Sequence, residues 1–372
     1  MHETGRELTD TSRYLSFATE IGKNGLVPYR DFELEYPPGA LPVFLLPAIP
    51  PGSGSYYWLF IVQMALLGAL GVLATAGSLQ ALARAPRRKR LILALLVASP
   101  VAFASVLLTR FDLLPAALVA LATYLVLTAR PRAGALALGL AAAAKVYPLV
   151  LLPLFATWVW RRTGPREAAV VSAIALGVTA LVYVPFVLVA SDGVWSSAWR
   201  QLSRPLQIES LGAGVLVLLH HLAGLEVVVE TSYGSDNLGG GTAALVATVL
   251  SALGGAALVW VWIEFARGEA DRERLVRYGA AALLALVAFG KVGSPQFLVW
   301  LLFPLALVGG RRGALAGGCF AVAALATAVW FPWRYFDLPV QLDPLVASLV
   351  VVRGLALVAA FAVLAYPFRG RL

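Results

Sequence analysis

Apolar runs long enough to cross a hydrocarbon core, about 20 residues each, recur along the chain between short charged or proline-rich segments. Tyr57 to Ala83 is the first clear crossing, and it ends in the basic run Arg84 to Arg90. Leu91 to Leu108 returns and stops at Arg110-Phe111-Asp112, and Leu113 to Ala129 crosses again to meet Arg130 and Arg132. Ala168 to Ala190, Gly241 to Phe265, Gly313 to Trp330 and Leu345 to Pro367 read as further crossings. Two segments, Gly134 to Trp160 and Tyr278 to Val308, carry basic residues at both ends. If both flanks lie on one side, each segment enters the membrane and comes back. Lys145-Val146-Tyr147-Pro148 sits at the middle of the first, where proline interrupts a helix. The pattern predicts two short helices with Lys145 at the apex; one helix kinked at Pro148 fits the same residues. Gly290 to Gln296 makes Lys291 the second apex. The polar section Ser191 to Gly241 contains one apolar stretch, Leu211 to Leu222, too short to span and expected to be interfacial or re-entrant.

Composition agrees with this reading. The 372 residues are 60% hydrophobic and 13% charged, whereas soluble domains carry roughly 25% charged residues. The expected fold class is all-α, a polytopic transmembrane helix bundle with re-entrant or short helical hairpins. A formal charge of +9 would suit nucleic acid, but the basic residues gather in runs between spans, as membrane topology requires. Nucleic acid is therefore not an expected partner; the lipid bilayer is. The single cysteine, Cys319, excludes an intrachain disulfide. His220-His221 has no third ligand nearby, so no metal site is expected. There is no D-x-D triplet and no P-loop.

Ahead of the first crossing lies Pro28 to Pro38, reading P-Y-R-D-F-E-L-E-Y-P-P. Three prolines block helix continuation, so an ordered non-helical loop is expected. A solvated connector is the plain alternative. The topology gathers Asp10, Asp31, Glu33, Glu35, Asp112 and Glu209 on the outer side with Arg30, Arg110, Lys145, Arg204 and Lys291. Charges at a membrane edge that topology does not explain are candidates for function. A carboxylate can serve as general base toward a hydroxyl, and converging cations would stabilise a leaving phosphate. Ion pairs that merely tie the outer loops together would use the same residues.

Several blocks carry a resemblance. D-T-S-R-Y (Asp10 to Tyr14) and G-L-V-P-Y-R-D-F-E-L-E-Y-P-P (Gly25 to Pro38) come first. R-F-D (Arg110 to Asp112), K-V-Y-P (Lys145 to Pro148), R-P-L-Q-I-E-S (Arg204 to Ser210) and K-V-G-S-P-Q (Lys291 to Gln296) follow in order. Together they resemble glycosyltransferase family 87. The resemblance implies the GT-C fold and inverting transfer of a sugar, commonly mannose, from a polyprenyl-phosphate sugar donor to a lipid-linked or glycan acceptor. It implies a multi-pass protein of the plasma membrane whose site faces outside, with no cofactor. It assigns the base to Asp10, with Asp31 as second choice. With such a donor, its phosphate would meet the outer-side cations Lys145, Lys291, Arg110 or Arg204. Substrate-binding candidates are Tyr14, Arg30, Glu35, Tyr36, Asp112, Tyr147, Gln207, Glu209 and Gln296. On this reading 1–56 is a first external loop and 57–372 the bundle, with an external loop at 191–241. The family places a transmembrane helix ahead of the acid, whereas only nine residues precede Asp10 here. A transporter or lipid flippase with broken helices and buried lysines is the rival reading. A transferase predicts a cavity open at one face, a transporter a path open to both.

Overall fold

The computed structural model describes residues 9–50 and 52–366; residues 1–8 of the expected first loop lie outside them. The chain divides into two compact units, 9–202 with 302–307 and 203–301 with 308–366. Helices dominate both, as expected for an all-α membrane bundle. Among the described residues five helices are long and apolar enough to cross a membrane.

In the first unit, α1 (Thr11–Gly22) buries Thr11, Tyr14 and Ala18, spaced to form one stripe of a helix. It packs on the short helix α2 (Leu41–Leu45). The long helix α3 (Ser53–Ala81) follows and packs against α5 (Leu113–Leu127), after α4 (Pro86–Leu107) has intervened in sequence. α6 (Pro131–Ala144) packs on α5 and stops where Lys145 adopts an extended backbone, φ −161° and ψ 130°. Pro148 accounts for the stop: its ring would collide with the carbonyl four residues back, and it has no N–H to offer. A 3-10 turn (Tyr147–Leu151) leads into α7 (Leu152–Thr163). Both helices are shorter than a bilayer crossing, and the segment is broken at Lys145. α8 (Pro165–Ser203) closes the unit with a non-helical break at Ala190, φ −155° and ψ 49°. Almost none of its apolar window is buried by protein, which leaves that surface to lipid.

The second unit begins with β1 (Leu206–Gln207) and α9 (Leu211–Ala223). α9 starts at Ser210, whose Oγ accepts from the Ala213 N–H at 3.2 Å, a standard N-cap. β2 (Val228–Ser232) and β3 (Ser235–Gly239) form a hairpin, and the antiparallel sheet order is β1-β3-β2. Its two-residue turn, Tyr233-Gly234, has φ of 54° and 68°, the paired positive values of a type I′ turn. α10 (Gly240–Arg267) and α11 (Arg272–Ala288) follow. Lys291 lies in the irregular stretch before a 3-10 turn (Pro295–Leu298). α12 (Val299–Leu307) runs across the division between the units. α13 (Gly310–Trp330), α14 (Asp337–Gln341) and α15 (Pro344–Ala365) complete the fold, with α15 packed against α9, α11 and α13.

Two expectations about the loops change. Asp10 to Tyr14 is not loop: helix starts at Thr11, because its apolar positions find a partner surface that a polar sequence does not advertise. The section after Ala190 is not merely polar either. Helix resumes to Ser203, and a small sheet supplies the hydrogen bonds of 206–239.

Close backbone approach at Gly39 places the proline-rich segment against the end of α6. A Cβ there would stand 2.5 Å from the Ala143 carbonyl carbon and 2.7 Å from the Ala144 nitrogen. Main chain cannot rotate away as a side chain can, so Gly39→Val lowers stability by about 1–3 kcal/mol. Gly22 has nothing within 4 Å of an added Cβ, and Gly22→Ala is the matched control. Thermal unfolding of both variants in detergent checks this; equal midpoints would contradict the packing.

Candidate functional site

The first unit builds its polar centre from three separate stretches. Asp10 stands at the start of α1 but makes no capping hydrogen bond with its side chain. Its Oδ2 instead pairs with the Arg110 guanidinium, which comes from the connection between α4 and α5. Tyr14, one helical turn on, donates its hydroxyl to the same oxygen at 3.3 Å, and Tyr36 from the proline-rich segment donates at 3.4 Å. Residues i and i+4 share a helix face, which is why D-T-S-R-Y can bring Asp10 and Tyr14 to one point. Thr11 Oγ1 donates to the Thr109 carbonyl at 3.2 Å, tying α1 to the Arg110 connection.

Aromatic rings wall this centre. Tyr14 stacks on Phe44 with centroids 4.3 Å apart, and Tyr36 meets Phe111 edge-on at 5.2 Å. Burial, with Tyr36 and Asp10 adding to it, raises the Tyr14 hydroxyl well above the ordinary phenol range; burial and then Asp10 do the same to Tyr36. Both phenols therefore remain donors. Burial works against the Arg110 charge, but Asp10, Tyr14 and Tyr36 outweigh it and its pKa rises.

Asp112 points its carboxylate away from its own helix end. Its Oδ1 accepts from Lys145 Nζ at 2.6 Å, with the Asp112 side chain 1% exposed. Its side chain makes no capping bond to α5. Phe111 lies between the two pairs, with Lys145 Nζ 4.9 Å from its ring centroid, a cation–π distance. Tyr147 is buried beside them, and burial followed by the Asp112 charge raises its hydroxyl.

The remaining candidates of this unit brace the proline-rich segment. Arg30 forks onto Asp31 at 2.9 Å, and Asp31 also accepts from the Val27 N–H at 2.8 Å. That bond to Arg30, then the one from Val27, lowers the Asp31 carboxyl to about 2. Asp31, the second-choice base, thus closes its own loop. Glu35 pairs with Arg13 of α1, and Arg200 of α8 pairs with Glu33 at 2.6 Å. Gly193 lets α8 approach the Tyr29 carbonyl more closely than any Cβ would allow.

The second unit holds the other candidates. Gln207 takes Lys291 by backbone, its N–H donating to the Lys291 carbonyl at 2.9 Å, and its Oε1 accepts from the Gly293 N–H at 3.0 Å. Lys291 is partly buried, which lowers its ammonium below the ordinary lysine value. Glu209 is buried, and its carbonyl accepts from Arg353. Arg204 donates to the Tyr233 carbonyl at 3.0 Å, at the tip of the hairpin. Gln296 lies in the 3-10 turn with its Oε1 buried and no protein partner. His220 and His221 each hydrogen-bond a backbone carbonyl. Arg353, Arg13 and Phe111 escaped the sequence reading. A guanidinium in the middle of the last apolar run was the available signal for Arg353.

Removing one partner of a buried pair strands the other charge, at a cost of about 3–5 kcal/mol. Lys145→Met accordingly destabilises the protein, and adding Asp112→Asn to it recovers most of the loss. Unfolding of the two single variants and the double variant measures the coupling; additive losses would show that Lys145 and Asp112 do not depend on each other.

No curated protein and no solved structure matches the chain. The family model for glycosyltransferase family 87 matches residues 34–290. That stretch contains R-F-D, K-V-Y-P and R-P-L-Q-I-E-S, whereas Asp10 precedes it and Arg353 follows it. With well over half of its length matched, the chain belongs to glycosyltransferase family 87.

Proposed function

We propose that this glycosyltransferase moves a hexose, mannose in the first instance, from a polyprenyl-phosphate sugar to a lipid-linked or glycan acceptor. The reaction is placed at the outer face of the plasma membrane, where a donor anchored in lipid replaces nucleotide sugars. The observation that carries the reading is Asp10, one carboxylate held by an arginine and two tyrosines in an aromatic-walled centre. In the reaction the acceptor hydroxyl attacks the anomeric carbon as its proton passes to Asp10. The bond from that carbon to the phosphate oxygen breaks with inversion, and polyprenyl phosphate leaves. Arg110 and Lys145 are assigned to the negative charge that develops on the phosphate.

Arg110 then has two anionic partners in turn. The donor phosphate competes with Asp10 for the guanidinium, so donor binding loosens the base for its task. Tyr14 and Tyr36 keep the carboxylate in position while this exchange takes place. Asp31, Glu35 and Arg30 serve by shaping the segment that carries Tyr36. In the second unit Lys291 is assigned to the donor's anionic headgroup by its own chemistry, a half-buried ammonium on a braced loop. Arg204, Gln207, Glu209 and Gln296 are assigned to substrate contacts or to support of that loop.

The test uses liposomes with labelled polyprenyl-phosphate mannose and membrane lipid acceptors. Asp10→Asn preserves shape and lowers kcat by roughly 10²–10⁴-fold, with insertion and thermal unfolding unchanged. Equal transfer by variant and parent would take the base away from Asp10. Absence of transfer from every polyprenyl donor, with lipid or solute crossing the bilayer instead, would overturn the reaction.

The lowered Lys291 pKa gives a pH test with a definite sign. Its ammonium loses charge on the alkaline side, below the ordinary lysine value of about 10.4, and with it the attraction for phosphate. The donor kcat/KM, which reports groups of the free enzyme, therefore declines as pH rises through that lowered value. Lys291→Arg removes this alkaline limb. A limb that persists in the arginine variant would assign it to another group.

A further inference from the structure

Arg353 is 4% exposed, in the middle of α15, with apolar residues before and after it along the helix. Its Nη2 donates to two backbone carbonyls, Glu209 and Gly293, the second at 2.5 Å. Both carbonyls belong to irregular stretches, so no helix or sheet ladder satisfies them. The guanidinium carbon stands 5.7 Å from the Trp330 ring centroid, and the Glu209 charge acts on it from nearby. Its Nη1 has no protein acceptor. A cavity of about 20 Å³, room for a single water, is lined by Arg353, Gly290, Gly293, Ser294 and Leu211.

The two carbonyls belong to the two loops that Gln207 already joins. Gln207 grips Lys291 and Gly293 from one side, and Arg353 grips Gly293 and Glu209 from the other. A Cβ at Gly293 would collide with the Glu209 carbonyl oxygen, so the loops meet main chain to main chain. The supporting helix is equally committed: a Cβ at Gly354 would stand 2.7 Å from the Leu211 side chain, where α15 crosses the start of α9. A guanidinium is planar with five donors in a fixed fork, which allows one side chain to hold two carbonyls in register. An ammonium on a flexible stem holds them less firmly.

From this geometry we infer that Arg353 is a positioning residue: it sets the loop that presents Lys291 to the anionic headgroup of the donor. The link to the donor rests on the role proposed above for Lys291; the clamp on the loop does not.

Arg353→Met exchanges a buried charge for an apolar chain of similar reach, a change that proteins often tolerate in stability. Arg353→Lys keeps the charge and loses the fork. In the full-length protein in liposomes, Arg353→Met raises the donor KM by roughly 10- to 100-fold, the scale of a misplaced binding group, and leaves the acceptor KM unchanged. Arg353→Lys restores part of the loss. Lys291→Met and the double variant with Arg353→Met have the same donor KM, because the arginine acts through the lysine. Hydrogen exchange at Gly293 and Gln207 supplies a readout independent of activity, and it quickens in Arg353→Met. Unchanged exchange overturns the inference whatever the donor is. Quickened exchange with an unchanged donor KM, or fully additive losses in the double variant, overturns the link to Lys291. If the parent transfers from no polyprenyl donor, the proposed donor falls, and exchange alone still decides whether Arg353 holds the loop.

Discussion

An ionised side chain withdrawn from water must find its compensation inside the protein, because an unpaired buried charge costs several kcal/mol. The first unit meets this constraint with three consecutive residues. Arg110 and Asp112 face opposite neighbours, the first pairing with Asp10 and the second with Lys145, while Phe111 separates them and touches both surroundings. Two chain segments distant in sequence, those of Asp10 and Lys145, are thereby drawn to one tripeptide.

The second unit answers the same constraint by other means. Its buried guanidinium has no direct carboxylate bond among the described residues and rests on main-chain carbonyls and an indole face. Carbonyl dipoles compensate less than a full counter-charge does, but they belong to the backbone and so fix its path. Two loops that lack repeating hydrogen bonds acquire a defined geometry in this way. Charge burial that would be a liability in a uniform core becomes a source of precision here.

Much of this was legible in the sequence because the membrane enforces simple rules. Apolar length and basic flanks locate the five long apolar helices, whereas Leu113 to Ala129, expected to cross, forms a helix of only 15 residues. K-V-Y-P marks an interruption at Lys145 because proline disrupts the helix there. R-F-D signals chemistry, since charges at the edge of an apolar run need a reason. What stayed hidden depends on long-range contacts. Helix α1 begins within a polar stretch, and only its partners reveal the stripe of Thr11, Tyr14 and Ala18. The hairpin at Tyr233-Gly234 is short and half-exposed, with a weak alternation. Arg353 was visible as a charge in an apolar run, but counting crossings absorbed it. The carbonyls it holds, Glu209 and Gly293, are 144 and 60 residues away.

Helix α8 has a consequence of a different kind. From Pro165 to the break at Ala190 it rises roughly 37 Å at 1.5 Å per residue, already more than the ~30 Å of a hydrocarbon core. The segment beyond Ala190 has no core left to occupy, and its exposed Trp195, Trp199 and Leu202 are suited to the headgroup layer. Gly193, Arg200 and Gln201 fasten the proline-rich segment to that same stretch. The helix is therefore a ruler: it sets the depth at which Tyr36 and its neighbours ride, and bilayer thickness becomes a variable to which their height is tied.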